Sequence, residues 1–273
     1  MPQFIHANVA IDYTKIGEGA PVLFIQGVGV PGQGWKPQMD ALSTRFTCVS
    51  FDNRGVGGSS LPPGTLTIAQ MVEDTRALLD HLGWASAHLV GHSMGGIIAH
   101  QLALAAPERV RSLSLLCTFP RGKDAARLTP WVMWVGLRTR VGTARMRRHA
   151  FLEILLPASV IDRDAAAAAY SPFFGRDIAD QHPMAMAQVM AMSKHDEEAR
   201  LSTLRAPTLV VSGAEDKLAI PEFGERLAAA IPGAAFHRLE GVSHGAPLTH
   251  PEVVNALLLD HLTAVESSRS IGT

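Results

Sequence analysis

Cysteine is scarce in this chain. There are two, Cys48 and Cys117, among 273 residues. Both lie in apolar, strand-like runs and read as buried, reduced thiols. A disulfide scaffold is not indicated, and a reducing cytoplasm is the expected setting. Charge is also sparse and balanced, at 18% of residues with a formal net charge of −1. That balance gives no footing for nucleic acid or an anionic membrane surface. No stretch approaches the roughly 20 apolar residues of a membrane helix. The run Trp131 to Leu137 is apolar but short, and arginines follow it. The opening residues, Met1 to His6, lack the basic and apolar regions of a secretory leader. Internal repeats and low-complexity tracts are missing. So are a phosphate loop, a full dinucleotide fingerprint and a metal-ligand cluster, so neither cofactor nor metal is expected.

What the chain does have is Gly91-His92-Ser93-Met94-Gly95-Gly96. It contains G-x-S-x-G in a specific context. Ala87 to Val90 before it reads as a buried strand. Ile97 to Ala106 after it reads as a helix, closed by Pro107. A serine on such a strand-to-helix turn is strained, with its hydroxyl held above the sheet edge. The glycines are needed where backbone approaches too closely for a Cβ. The helix N-terminus favours negative charge developing beside the serine.

The surrounding rhythm is that of a doubly wound sheet. Residues 3–16 predict a hairpin, and Val22–Ile25, Phe46–Phe51, 87–91 and Val110–Leu116 predict further strands. Helices are predicted at about 35–42, 68–82 and 95–106 between them. Strands alternating with helices imply parallel crossovers, with ligands beyond the carboxyl ends of the strands. From about Phe119 to Leu201 no strand is evident. That stretch predicts helices near 129–139, 142–155, 162–170 and 182–198. Strand rhythm returns at Thr208–Ser212 and 235–239, with helices at 222–230 and 251–263. The expected division is a core of 1–118 and 202–273 around a helical insert, 119–201. The tail from Ser267 to Thr273 is expected to fray.

A serine hydroxyl needs a general base, and the base needs an orienting acid. His244 follows the last predicted strand, on the serine's side of the sheet. Asp216 follows the strand before it, on the same side. The chain order Ser93, Asp216, His244 suits this type of fold. Glu215 competes with Asp216, although adjacent side chains diverge. Among the 12 histidines, His250 reads as the entry to the last helix. His92 reads as packing beside the serine, and His195 lies in the insert. The oxyanion of a tetrahedral intermediate needs donors. The expected pair is the backbone N–H of Met94 and that of Val28, in the glycine-rich loop after Ile25.

With these residues in place, the chain resembles the α/β-hydrolase superfamily over nearly its whole length. Asp52-Asn53-Arg54-Gly55-Val56-Gly57-Gly58-Ser59 resembles that family's D-x-R-G-x-G-x-S loop. Ala206 to Gly213 resembles the approach to its acid, and Trp35 sits where a tryptophan often follows the oxyanion loop. The resemblance implies a mostly parallel sheet of about eight strands, with the insert as a helical cap over the site. One departure is Gln26-Gly27, where the family usually carries His-Gly. A serine nucleophile implies ester or lactone hydrolysis through an acyl-enzyme. It leaves open C–C hydrolysis, acyl transfer or perhydrolysis on the same residues, and a non-enzymatic binding protein of this fold. The expected partner is a small, largely apolar ester or lactone, and the expected state a monomer or homodimer. Gln26 and Trp35 beside the loop, and Trp131, Trp134, Phe173 and Met190 in the insert, are the candidate substrate contacts. Eight basic residues between Arg121 and Arg148, against Asp124 alone, read either as a solvated helix face or as a guide for an anionic substrate.

Overall fold

Alternating apolar residues are buried on both faces of a single sheet in the computed structural model, which describes residues 2–61 and 64–271. Its strands are β1 (Gln3–His6), β2 (Val9–Ile16), β3 (Ala20–Ile25), β4 (Phe46–Phe51), β5 (Ala87–His92), β6 (Val110–Leu116), β7 (Thr208–Gly213) and β8 (Ala235–Leu239). The order is β1-β2-β4-β3-β5-β6-β7-β8. The hairpin β1–β2 joins β4 antiparallel, and every other pairing is parallel. The order of strands reverses at β3, whose neighbours are β4 and β5. The loops leaving β3 and β5 therefore flank the crevice where such sheets bind ligands.

The helices of the sheet are α1 (Lys36–Leu42), α2 (Ile68–His81) and α3 (Met94–Ala105). Between β6 and β7 come α4 (Gly122–Ala125), α5 (Pro130–Arg138), α6 (Ala144–Leu155), α7 (Arg163–Tyr170) and α8 (Ala185–Ser193). The chain ends with α9 (Pro221–Ala230), α10 (Ala246–Thr249) and α11 (Pro251–Ile271). α2 shows why these segments are helical. Thr67 and Gln70 form a reciprocal capping box at its start, and Ile68, Met71, Val72, Thr75, Leu78 and Leu79 share its buried face.

Two apolar layers sandwich the sheet. Leu23, Ile25 and Val49 meet α2, α3 and α9 on one face. Val22, Phe24 and Cys48 meet α1 and α11 on the other. This period-two division is what a doubly covered parallel strand requires. The insert is itself divided. α6 and α7 build a separate cluster around Leu152, Leu155, Ala166 and Phe174. Ala191 and Met192 of α8 join the main core instead.

The tail differs from expectation. Residues 267–271 continue α11, whose buried face is made by Val254, Leu258, Leu262 and Val265. Gly272 and Thr273 lie outside the described residues. Among the described residues, no helix is long and apolar enough to cross a membrane.

Candidate active site

Ser93 sits between β5 and α3 at φ 54°, ψ −120°. A non-glycine residue holds such a conformation only when its surroundings impose it, at a cost of about 1–3 kcal/mol. The imposing contacts are visible. A Cβ on Gly95 would fall on the Ile25 carbonyl oxygen, and one on Gly91 would fall on that of Gly95. The Ser93 N–H donates to the Leu116 carbonyl at 3.0 Å, and Thr118 Oγ1 donates to the Ser93 carbonyl at 2.5 Å. Neighbouring strands thus fix the turn from both sides.

The acid and base arrive on the two loops that follow β7 and β8. His244 Nδ1 lies 2.7 Å from Asp216 Oδ2, and its Nε2 lies 3.1 Å from Ser93 Oγ. Asp216 accepts on its other oxygen from the N–H groups of Leu218 and Ala219, at 2.8 and 2.9 Å. An acceptor-only carboxylate facing Nδ1 assigns the ring proton there, which leaves Nε2 free to accept from the serine. Ser93, Asp216 and His244 are all buried, at 7%, 3% and 5% exposure. Glu215 is exposed and instead accepts from the Ala158 N–H of the insert at 3.2 Å.

The oxyanion loop runs from Gln26 to Gly34. Among the described residues, neither the Val28 nor the Met94 amide N–H has a hydrogen-bond partner. A Cβ on Gly27 would lie 3.0 Å from the Ser93 Cβ, so the loop runs tight against the serine. Asn53 Nδ2 holds the loop by donating to the Gln26 carbonyl at 3.1 Å. Asp52 accepts from the Gly32 and Gly58 amides, at 2.6 and 2.9 Å. Its burial pushes the carboxyl's pKa up. Beside it, Arg54 forms a two-pronged buried pair with Asp74, both bonds 2.6 Å.

Several expected substrate contacts are placed elsewhere. Trp35 is fully buried, packed on Phe24 and edge-on to His92; it is a core residue, not a substrate contact. Gln26 is also buried, and its Oε1 accepts from the Gly27 N–H at 3.1 Å. It builds its own loop rather than facing the serine. Trp134 and Met190 are 57% and 54% exposed, away from a serine that is nearly covered. The reason is helix geometry. α5 turns Val135 inward and α8 turns Gln188, Ala191 and Met192 inward, which leaves those two residues on outer faces. Trp131 is half-buried with the Lys217 ammonium 5.4 Å over its ring. Phe173 is half-buried against the α6–α7 cluster, which also takes in Val30 and Leu248.

Two participants were not foreseen in their actual roles. His92 Nε2 bonds the His244 carbonyl at 2.8 Å, so it ties the elbow to the base loop. Burial, with the neighbouring His244 charge, lowers its pKa to about 3 and keeps it neutral. Gln188 of α8 reaches the oxyanion loop, accepting from the Gly29 N–H at 2.8 Å. Neither contact has a sequence signature, because each joins segments far apart in the chain. Six of the eight residues of the basic stretch prove to be ion-paired. Arg121, Lys123, Arg138, Arg145, Arg147 and Arg148 each meet a carboxylate. Little free charge remains there to guide an anion. Among the described residues, no group of three His, Cys, Asp or Glu side chains is placed to hold a metal.

Comparison with known proteins agrees with this fold. The family model for the alpha/beta hydrolase fold matches residues 20–251. The chain belongs to the α/β-hydrolase family. It is 30% identical to the candidate carbamate hydrolase RutD of Azorhizobium caulinodans, covering 94% of this chain and 96% of that one. It is 30% identical to the candidate non-heme bromoperoxidase BpoC of Mycobacterium tuberculosis, covering 95% and 100%. The crystal structure of the enol-lactonase from Burkholderia xenovorans superposes with a TM-score of 0.82 at 27% identity, covering 96% and 100%. These relatives support a hydrolase of this fold.

Proposed function

We propose that this hydrolase cleaves a carboxylic ester or lactone of a small, largely apolar substrate through an acyl-enzyme on Ser93. The observation that carries the reading is the unbroken chain Asp216–His244–Ser93, with spacings of 2.7 and 3.1 Å. Ser93 Oγ attacks the acyl carbon as its proton passes to His244 Nε2. Asp216 keeps the imidazole oriented and stabilises its cation. The negative oxygen is received by the Val28 and Met94 N–H groups and faces the N-terminus of α3. Collapse breaks the bond to the alcohol oxygen, which takes the proton from His244. In a lactone that oxygen stays attached to the acyl chain. Water then gives its proton to His244 and its oxygen to the acyl carbon, which restores Ser93.

Burial of the triad supports an apolar acyl group. The lactone option is supported by the similarity to an enol-lactonase. A second reading rests on the bromoperoxidase relative. Hydrogen peroxide in place of water would release a peracid from the same acyl-enzyme.

The test is turnover of p-nitrophenyl acetate, butyrate and octanoate by wild type and Ser93→Ala, with phosphonate labelling read by intact mass. Hydrolysis that depends on Ser93, with one adduct per chain, is the expected result. Folded protein that neither turns over nor labels would refute acyl chemistry at this serine.

A further inference from the structure

A side chain of α8 that reaches the oxyanion loop leaves its amide donors unused. Gln188 is completely buried. The Gly29 N–H donates to its Oε1 at 2.8 Å. An N–H can only donate, so this contact fixes the amide with oxygen toward the loop and nitrogen away from it. That nitrogen, Nε2, is buried with no partner among the described residues. Buried amide nitrogens are rarely left so, and a Met or Leu of similar size would avoid the penalty.

Asn53 and Asp52 hold the loop at Gln26 and Gly32, while the turn between them closes through a long bond, Val30 N–H to the Gly27 carbonyl at 3.5 Å. Gly29 has φ 65°, and a Cβ there would lie 2.8 Å from the His182 Cβ of the insert. Gly27, at the other end, lies against Ser93. Val28, the expected oxyanion donor, is held between the two. The gripping amide is thus one residue from that donor.

Resting on the acyl-hydrolase reading above, we propose that Gln188 is a positioning and specificity residue. Its Oε1 pins the oxyanion loop from the insert, and its Nε2 donates to an acceptor oxygen carried in the substrate's acyl chain. The preferred substrates are then esters or lactones whose acyl chain bears an ether, keto or amide oxygen. A single buried donor in an apolar site discriminates against analogues that cannot satisfy it.

The experiment measures the second-order rate at which p-nitrophenyl alkylphosphonates phosphonylate Ser93. Each reagent forms a Ser93 Oγ–P bond and expels p-nitrophenolate, with His244 taking the serine proton. The set is a hexyl chain and its analogues with one methylene at a time replaced by oxygen. In wild type, one ether position is expected to react about tenfold faster than its neighbours. In Gln188→Met that preference disappears, and the all-carbon reagent also slows about fivefold as the loop loses its grip. Intrinsic reagent reactivity cancels in the ratio between the two proteins, and a purely structural role for Gln188 would leave that ratio unchanged. A wild type without a favoured position, or a preference that survives Gln188→Met, overturns the inference alone. Failure of every reagent to label Ser93 in wild type overturns the acyl-hydrolase reading, and the inference with it.

Discussion

Removing Asp74 should cost this protein far more than removing an exposed carboxylate. Asp74 is 1% exposed and Arg54 5%, and they share two bonds of 2.6 Å. Asp74→Ala leaves a guanidinium buried without its counter-charge. Breaking a buried pair from one side costs about 3–5 kcal/mol. At about 2.1 cal/mol/K of unfolding entropy per residue, a chain of this length loses about 0.6 kcal/mol of stability per kelvin near Tm. The expected fall in Tm is therefore about 5–8 °C, readable by calorimetry or far-UV circular dichroism. The pair Arg145–Asp164, 69% and 54% exposed, is the control, and Asp164→Ala should give no resolvable shift. The double variant Arg54→Met/Asp74→Leu should recover most of the loss, because no unpaired charge remains. The consequence reaches the site. Arg54 follows Asn53, whose amide holds the Gln26 carbonyl of the oxyanion loop. Asp74→Ala should therefore also slow phosphonate labelling of Ser93. A Tm change for Asp74→Ala no larger than for Asp164→Ala, or a double variant as unstable as the single one, would refute the reasoning.

Two further outcomes follow from the geometry. Asp216→Asn should reduce ester turnover by orders of magnitude, while Glu215→Ala should stay within a few-fold of wild type; equal losses in the two variants would displace Asp216 as the orienting acid. His100 is buried on α3 and its pKa is lowered to about 3, chiefly by burial. The unfolded chain binds that proton below about pH 6.5 and the folded chain does not. The contribution to stability is therefore absent above that pH, and the destabilisation grows as pH falls toward 3. The limiting slope is about 1.4 kcal/mol per pH unit for one group. Urea midpoints of His100→Gln between pH 6.5 and 4.5 should show a shallower acid slope than wild type, and an identical slope would contradict a neutral buried His100.

The elbow was legible because its requirements are local. Gly91, Gly95 and Gly96 stand where a Cβ meets backbone or Thr118, and Ser93 stands where strand gives way to helix. The helix starts expected near 68, 129, 142 and 162 fall within two residues of the observed ones, where Thr67, Thr129, Thr143 and Asp162 each cap their helix with a side chain. The positions of Asp216 and His244 were legible at one remove, since strand order and parallel crossovers put the loops after β7 and β8 on the serine's side.

The inward face of the insert was not legible. Aromatic and methionine content marked Trp131, Trp134, Phe173 and Met190 as candidates, but composition does not say which side of a helix meets the core. Trp134 and Met190 face outward, while the polar Gln188 faces in. Hydrophobicity alone selects against Gln188, whose buried amide accepts from the Gly29 N–H. Trp35 was misplaced for a related reason. Its place in the loop pattern suggested the site, yet the ring turns back onto Phe24 and His92. The sequence by itself determined the strand-to-helix elbow, the alternation that builds the sheet, and the loops that carry Asp216 and His244, because those follow from periodicity and backbone sterics. Tertiary structure alone decided the distances that join Ser93, His244 and Asp216, the support of His244 by His92, and the grip of Gln188 on Gly29. Each of these contacts joins residues tens to more than a hundred positions apart, and only packing determines which side chains meet.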